Sequence, residues 1–257
     1  MDIDFACTMC GKCCHDLRLP LTVSEAIAWL EHGDEVQILC EALPWPEEPA
    51  EANLQAAQKR RRSFAAMSGS LPARIVVILA GTHPGPCPNL RDDMRCGIYE
   101  ERPLVCRIYP AEINPFIALT PAHKACPPEA WTPGLPPLLR AGKLVDAGVA
   151  QLIQQSRDAD EKDVPVKQQV CAAMGIDQAA VSNEGFVAYS PDRADLLAAL
   201  RQASNEPSIP AMPPTWHFVS KRRTTVDVLV SVGALSSLVD VNSAPRFEYL
   251  GFSVESE

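Results

Sequence analysis

The sequence has no long apolar run. Its longest, Ile75 to Ala80, falls far short of the roughly 20 residues that span a bilayer, so no membrane partner is expected. An export leader is also lacking: Met1 to Phe5 carries acidic Asp2 and Asp4 and runs almost directly into a group of cysteines. The expectation is a soluble protein of the cytoplasm. There is no excess of positive charge, since the formal net charge is −9. That balance argues against broad, nonspecific nucleic-acid binding, which rests on neutralising phosphates with Lys and Arg. The one basic run, Lys59-Arg60-Arg61-Arg62, lies in a stretch that reads as a helix and is taken as a solvated face. No internal repeat, low-complexity tract, Gly-rich nucleotide loop or C-x-x-x-C-x-x-C run is found. Nor is a Ser-His-Asp or paired-carboxylate arrangement legible. Glu100 and Glu101 are adjacent, which points them apart in a strand and onto different faces of a helix.

What the chain has in quantity is clustered cysteine. A chain of 257 residues is long enough to bury a core without staples, so its ten cysteines are not needed for stability. Eight of them fall in two groups, four from Cys7 to Cys14 and four from Cys87 to Cys126; only Cys40 and Cys171 stand alone in the sequence. In a reducing compartment disulfides do not persist, and clustered thiols point to metal ligation or redox chemistry.

Cys7-Thr8-Met9-Cys10-Gly11-Lys12-Cys13-Cys14 spaces three cysteines by three, a pitch at which successive thiolates converge on one centre. Gly11 permits the backbone angles of a tight loop. The same C-x-x-C-x-x-C run begins the bacterial ferredoxin pattern, whose last cysteine precedes a proline, as in Cys87-Pro88 and Cys126-Pro127. Zinc accepts tetrahedral thiolates equally well. Neighbouring side chains of an extended segment point apart, so Cys13 and Cys14 are expected to serve different centres: Cys7, Cys10 and Cys13 with one distant cysteine, Cys14 with the rest of Cys87, Cys96, Cys106 and Cys126. Four thiolates around Zn²⁺ leave a net charge of about −2, to be offset by cations nearby in sequence: Lys12, Arg91, Arg95, Arg102 and Arg107. His15, His83 and His123 lie beside the cysteines and are alternative ligands or ordinary surface histidines; His15 is the foremost of them. His32 and His217 have no metal context. Tyr99 and Tyr109 flank Cys106 and are read as packing aromatics.

Cys7-x-x-Cys10-Gly11-x-Cys13-Cys14, then Cys87-Pro88, Cys96-Gly97-Ile98-Tyr99-Glu100-x-Arg102-Pro103-x-x-Cys106-Arg107-x-Tyr109-Pro110 and Cys126, resembles the CxxCxxCC cysteine-cluster proteins. Those are zinc- or iron-chelating domain proteins, and flagellin lysine N-methylase carries a related, distantly similar cluster. The resemblance spans residues 7 to 126, with extra sequence from about 40 to 75. It implies metal chelation through the eight cysteines, with Arg102, Pro103, Arg107, Tyr109 and Pro110 part of the pattern, and implies no particular activity.

The organisation reads as α+β: an irregular, loop-rich metal-binding domain over residues 1–135, closed by the proline-rich stretch Pro127 to Pro137, and a mixed helix and strand region over 136–257 of unknown role. Thr22 and Glu25 have capping-box spacing before a helix that Gly33 stops. Leu43 to Pro49 reads as a rigid connection into a helix over 50–67, and Ala73 to Ala80 as a buried strand. Arg91 to Met94 can turn a hairpin into 95–99. Further helices are expected at 138–156, 165–174 and 191–203 behind the cap Ser190, and strands at Trp216 to Ser220 and Arg246 to Val254. The functional reading is a binding protein for an iron–sulfur cluster, 4Fe–4S by preference, in electron transfer or redox sensing. The alternatives are a structural zinc protein that meets a protein partner, and a protein-modifying methyl-transfer enzyme.

Overall fold

The computed structural model of the chain describes residues 1–206, 212–239 and 246–252. Its frame is one antiparallel pair. Strand β3 (Glu35–Pro44) runs beside β5 (Leu71–Thr82), in register from Glu35↔Thr82 to Pro44↔Ala73. The β-branched run of β5 has both faces covered: Ile75, Val77 and Leu79 belong to the main core, while Ala80 joins Leu39 and Ala188 in a small second cluster. Such two-sided burial explains a continuous apolar run where a one-sided strand would alternate.

Around this pair the chain adds strands on both edges. On the outer edge of β5 lie β2 (Arg18–Leu21) and β4 (Ser63–Ser68), both antiparallel to it. The free edge of β3 takes β9 (Gly185–Tyr189) antiparallel at Ile38 to Cys40 and β8 (Gln178–Val181) parallel at Glu41 and Ala42. Beyond β8, β10 (His217–Ser220) and β11 (Ser236–Leu238) continue in parallel, and β12 (Glu248–Gly251) pairs β9. The sheet thus takes strands from both sides of residue 135, and one core cluster runs from Leu19 to Ala234. A separate three-stranded sheet joins β1 (Ile3–Asp4) to the hairpin of β6 (Pro137–Arg140) and β7 (Lys143–Leu144). Helices and mixed sheets together make the expected α+β fold, and among the described residues no helix is long and apolar enough to cross a membrane.

The helices follow their local chemistry. In α1 (Val23–Glu31) the capping box is complete: the Glu25 amide donates to Thr22 Oγ1 at 3.2 Å and the Thr22 amide to Glu25 Oε2 at 2.9 Å, and Gly33 ends the turn at φ +100°. The expected helix over 50–67 is instead α2 (Leu54–Arg61) followed by β4. Ser63, Phe64, Ala66 and Ser68 are all buried, and the ladder to β5 outweighs the helix propensity of the alanines. The basic run is only partly a solvated face: Lys59 Nζ reaches buried Glu41 at 2.8 Å and Arg62 pairs with Asp160 at 2.9 Å, while Arg60 and Arg61 are exposed.

Leu43 and Pro44 end β3 and are not connection. The helix expected at 138–156 begins only at Ala147, as α4 (Ala147–Lys162), because Ala141 and Gly142 both take positive φ and turn the β6–β7 hairpin. Next, α5 (Val164–Ala173) lies where expected, while α6 (Arg193–Asn205) is capped by Asp192 and not by Ser190. Strand β3 and helix α7 (Arg223–Ser231) were not foreseen. The 95–99 segment has one bridge, Leu90↔Cys96, in place of a hairpin strand. Of the strand expected to end at Val254, Ser253 and Val254 lie outside the described residues.

Ile75 has no exposed surface and sits at the centre of the ladder. Ile75→Ala is expected to destabilise the chain by about 2–5 kcal/mol, whereas Leu54→Ala, at a position 67% exposed, changes it by at most about 0.5 kcal/mol. Urea unfolding of both variants checks this; equal midpoints would contradict the placement of the core.

Candidate metal centre

The cysteine loops hang from the ends of paired strands. β2 and β5 are in register at Arg18↔Thr82, so the chain before Arg18 and the chain after Thr82 leave the same end of the sheet. They remain zipped: the Asp16 amide donates to the Gly85 carbonyl at 2.8 Å, the Gly85 amide to Asp16 Oδ1 at 2.7 Å, and the Cys87 amide to the Cys14 carbonyl at 2.7 Å. On the other side of the loop, the Ala6 amide donates to the Ala130 carbonyl at 3.1 Å, and the Phe5 ring packs 4.9 Å from that of Trp131, whose Nε1 reaches the Cys126 carbonyl at 3.4 Å. The N-terminal cysteines are thereby held between the 87–106 stretch and Cys126.

Gly11 closes the loop itself. Its φ of +67° lies in the left-handed region, and a β-carbon there would stand 2.8 Å from the Met94 carbonyl oxygen, so only glycine fits. The Cys14 amide turns back to the Gly11 carbonyl at 2.9 Å and the Met9 amide donates to Cys7 Sγ at 3.4 Å. Because this segment turns, the alternation of an extended chain does not apply: the Cys13 and Cys14 sulfurs face each other 3.9 Å apart, contrary to the expectation that they point away.

Cys106 sits on the short helix α3 (Leu104–Ile108). That helix is tied to α1 by Glu25, whose Oε1 accepts the Leu104 amide at 2.7 Å while Oε2 holds Thr22. Sequence reasoning assigned Glu25 only to its own helix; nothing in the spacing signals the second bond.

The thiols alter one another's acidity through space. A hydrogen bond from Cys14 pulls the Cys13 thiol down to about 6, against burial and with help from Arg102 and His15, and the same contact drives Cys14 up. Cys14 further feels Cys87 and Cys106. Burial pushes Cys106 to about 12, reinforced by Cys13, Cys87 and Cys96, and raises Cys87, next to Cys96. It also pushes Cys126 to about 11, reinforced by Cys13, Cys7 and Cys10. Two neighbourhoods emerge, Cys7, Cys10 and Cys126 in one and Cys14, Cys87, Cys96 and Cys106 in the other, with Cys13 acting on members of both. Cys40 and Cys171 lie apart from them, buried in the main core, where burial and contact with Cys171 hold the Cys40 thiol protonated.

Among the cations, Arg102 lies 3.6 Å over the Tyr99 ring, donates to the Tyr99 carbonyl at 2.7 Å, and acts on Cys13 and Cys106. Arg91 donates to the Gly97 carbonyl and Arg95 pairs with Asp93. Lys12 and Arg107 form no ion pair among the described residues. Tyr109 Oη accepts the Ala125 amide at 2.8 Å beside Cys126. His15 and His83 each place Nδ1 3.2 Å from a backbone carbonyl, of Gly11 and Gly85, and His123 is exposed. His32 and His217 bond within the fold, to Ala28 and Ser237.

Soft thiolate donors of this number suit zinc or iron–sulfur chemistry. Among the described residues no three His, Cys, Asp or Glu side chains stand close enough to hold an ion as they are. Coordination therefore needs the loops to close further and thiols to shed protons, coupling metal uptake to local ordering.

In the metal-free chain the raised thiols set a pH window. An unfolded thiol titrates near 9.0, and folded Cys106 and Cys126 near about 12 and about 11. Between those values the unfolded chain has lost protons that the folded chain keeps. The stability that these two thiols contribute is therefore full below pH about 9 and is lost as pH climbs towards 12. Urea midpoints of reduced, chelator-treated protein across that range check the sign; a midpoint that rises would refute it.

Residues 6–127 match the model of the CxxCxxCC family, described as a "putative zinc- or iron-chelating domain". Comparison with curated proteins and with solved structures gave no match. The matched segment contains all eight clustered cysteines and both neighbourhoods of sulfur. This stretch of the chain is similar to the CxxCxxCC family, and metal binding is the property that the likeness supports.

Proposed function

We propose that the eight thiols form two ligand sets, Cys7, Cys10, Cys13 and Cys126 in one and Cys14, Cys87, Cys96 and Cys106 in the other, and that the first holds a 4Fe–4S cluster used in electron transfer or redox sensing in the cytoplasm. The observation that carries this reading is that three separated stretches of chain meet at these cysteines, the Cys87 amide donating to the Cys14 carbonyl at 2.7 Å and the Ala6 amide to the Ala130 carbonyl at 3.1 Å, beside the Trp131 ring that reaches the Cys126 carbonyl. A C-x-x-C-x-x-C run with a distant Cys-Pro supports iron–sulfur ligation. Arg102 supplies positive charge beside Cys13 and Cys106, offsetting the thiolate charge that a bound centre concentrates.

One observation favours structural zinc as the second reading. Two thiolates on a tetrahedral zinc lie about 3.8 Å apart, given Zn–S bonds of about 2.3 Å, and the Cys13 and Cys14 sulfurs are 3.9 Å apart. In that case both belong to one ion, or one of them bridges two.

Anaerobic purification with elemental analysis separates the two. A brown protein with iron and acid-labile sulfide in a fixed ratio is the expected result; a colourless protein with stoichiometric zinc rejects iron. Cys10→Ser is expected to weaken metal retention at least about tenfold and Cys171→Ser to leave it unchanged. Equal metal content in Cys10→Ser and the parent chain would show the ligand set to be wrong.

A further inference from the structure

Leu104 and Val105, the two residues before Cys106, line a cavity of about 360 Å³ that the metal chemistry does not use. Leu21, Ile78 and Ile113 add to its apolar wall. The volume falls in the range of small-molecule sites. Its polar wall comes from α2, α4 and α5, and there most carboxylates are already committed. Asp160 holds Lys167 at 2.6 Å and Arg62 at 2.9 Å, Asp158 accepts from Gln154, and Glu25 holds the Thr22 and Leu104 amides. Glu161, also in the lining, is exposed to solvent.

Among the described residues, two lining guanidiniums have no carboxylate partner. Half-buried Arg157 gives Nε and Nη2 to the Ile113 carbonyl, at 2.9 and 2.6 Å, and keeps Nη1 in hand. Exposed Arg61 forms no ion pair among the described residues. The two are close enough to oppose each other: Arg157 is made less basic first by burial and then by the charge of Arg61. A pair of like charges beside an apolar recess is unfavourable unless an anion enters between them. A larger cleft of about 830 Å³ shares Arg61, but its other guanidiniums are engaged, Arg60 by Glu48 and Arg74 by Ser63 and the Arg60 carbonyl.

We propose that the smaller cavity binds a small molecule with an apolar body and one anionic head, a carboxylate or phosphate ester, the head between Arg61 and Arg157 and the body against Leu104, Val105 and Ile113. Guanidinium forks suit both heads, and burial of the body supplies the remaining affinity. The site is independent of the metal reading, although it shares α3 with Cys106.

Calorimetric titration of the full chain, with metal as purified, tests it. Octanoate is expected to bind at one saturable site, with octanol and inorganic phosphate each at least about tenfold weaker. Arg61→Gln and Arg157→Gln should each weaken octanoate at least about tenfold and leave octanol unchanged, and Ile113→Trp, which fills the apolar wall, should weaken it without changing metal content. Arg157 also ties the Ile113 carbonyl, so Arg61→Gln, at an exposed unpaired position, is the variant that does not depend on folding. Absence of saturable octanoate binding, octanol or phosphate binding as tightly, or wild-type affinity in Arg61→Gln would each overturn the proposal.

Discussion

The pairing of Arg18 with Thr82 is the constraint on which the cysteine region depends. Loops rich in cysteine, proline and glycine have little ladder or core of their own and must be positioned by what they are attached to. Here the register of two edge-paired strands brings the chain before Arg18 and after Thr82 to one end of the sheet, and the bond from the Cys87 amide to the Cys14 carbonyl extends that pairing into the loops. A one-residue slip would turn every side chain of β2 to the other face and move Cys14 relative to Cys87. Burial of Leu19 and Leu21 in the main core resists the slip. Apolar packing at one place therefore sets sulfur positions at another.

The same arrangement makes the metal-free state electrostatically frustrated. Burial and mutual repulsion favour neutral thiols at Cys14, Cys87, Cys106 and Cys126, while the Cys13 contact and Arg102 favour one thiolate. A cation resolves the conflict, since it stabilises several thiolates at once and displaces their protons. Glu25 serves this end without touching sulfur: one carboxylate caps its own helix and anchors α3, so the Cys106 backbone is tied to α1.

Much of this was legible in the sequence, and the limits have physical causes. Cysteine spacing singled out the eight clustered thiols, all of which fall within the segment that matches the family model. The capping box and the β-branched run of β5 were legible because they are local. Long-range pairing was not. Ser63 to Ser68 looked helical among alanines and became a strand because β5 offered a ladder. Residues 138–146 lost their helix to a hairpin turned by Ala141, a residue whose left-handed backbone no propensity announces. The Cys13 and Cys14 sulfurs met because the loop turns at Gly11, where an extended reading had placed them apart. Cys40 and Cys171, far apart in sequence, meet only because α5 packs over β3 and β5 in one core.

A different balance of forces governs the two parts of the metal-binding stretch. Around β1, β6 and β7 the core cluster consists, among the described residues, of Ile3, Leu119 and Leu138, with Phe5 and Trp131 partly covered, far less apolar surface than the main sheet buries. Cys126 lies next to this thin packing and Cys14 and Cys87 next to the thick. If stability follows buried apolar area, the Cys126 side opens more readily than the Cys87 side, and ligands drawn from the two sides differ in how firmly they are presented. The neighbourhood that includes Cys126 is then the more open to solvent, and the neighbourhood of Cys14, Cys87, Cys96 and Cys106 the one that keeps its shape.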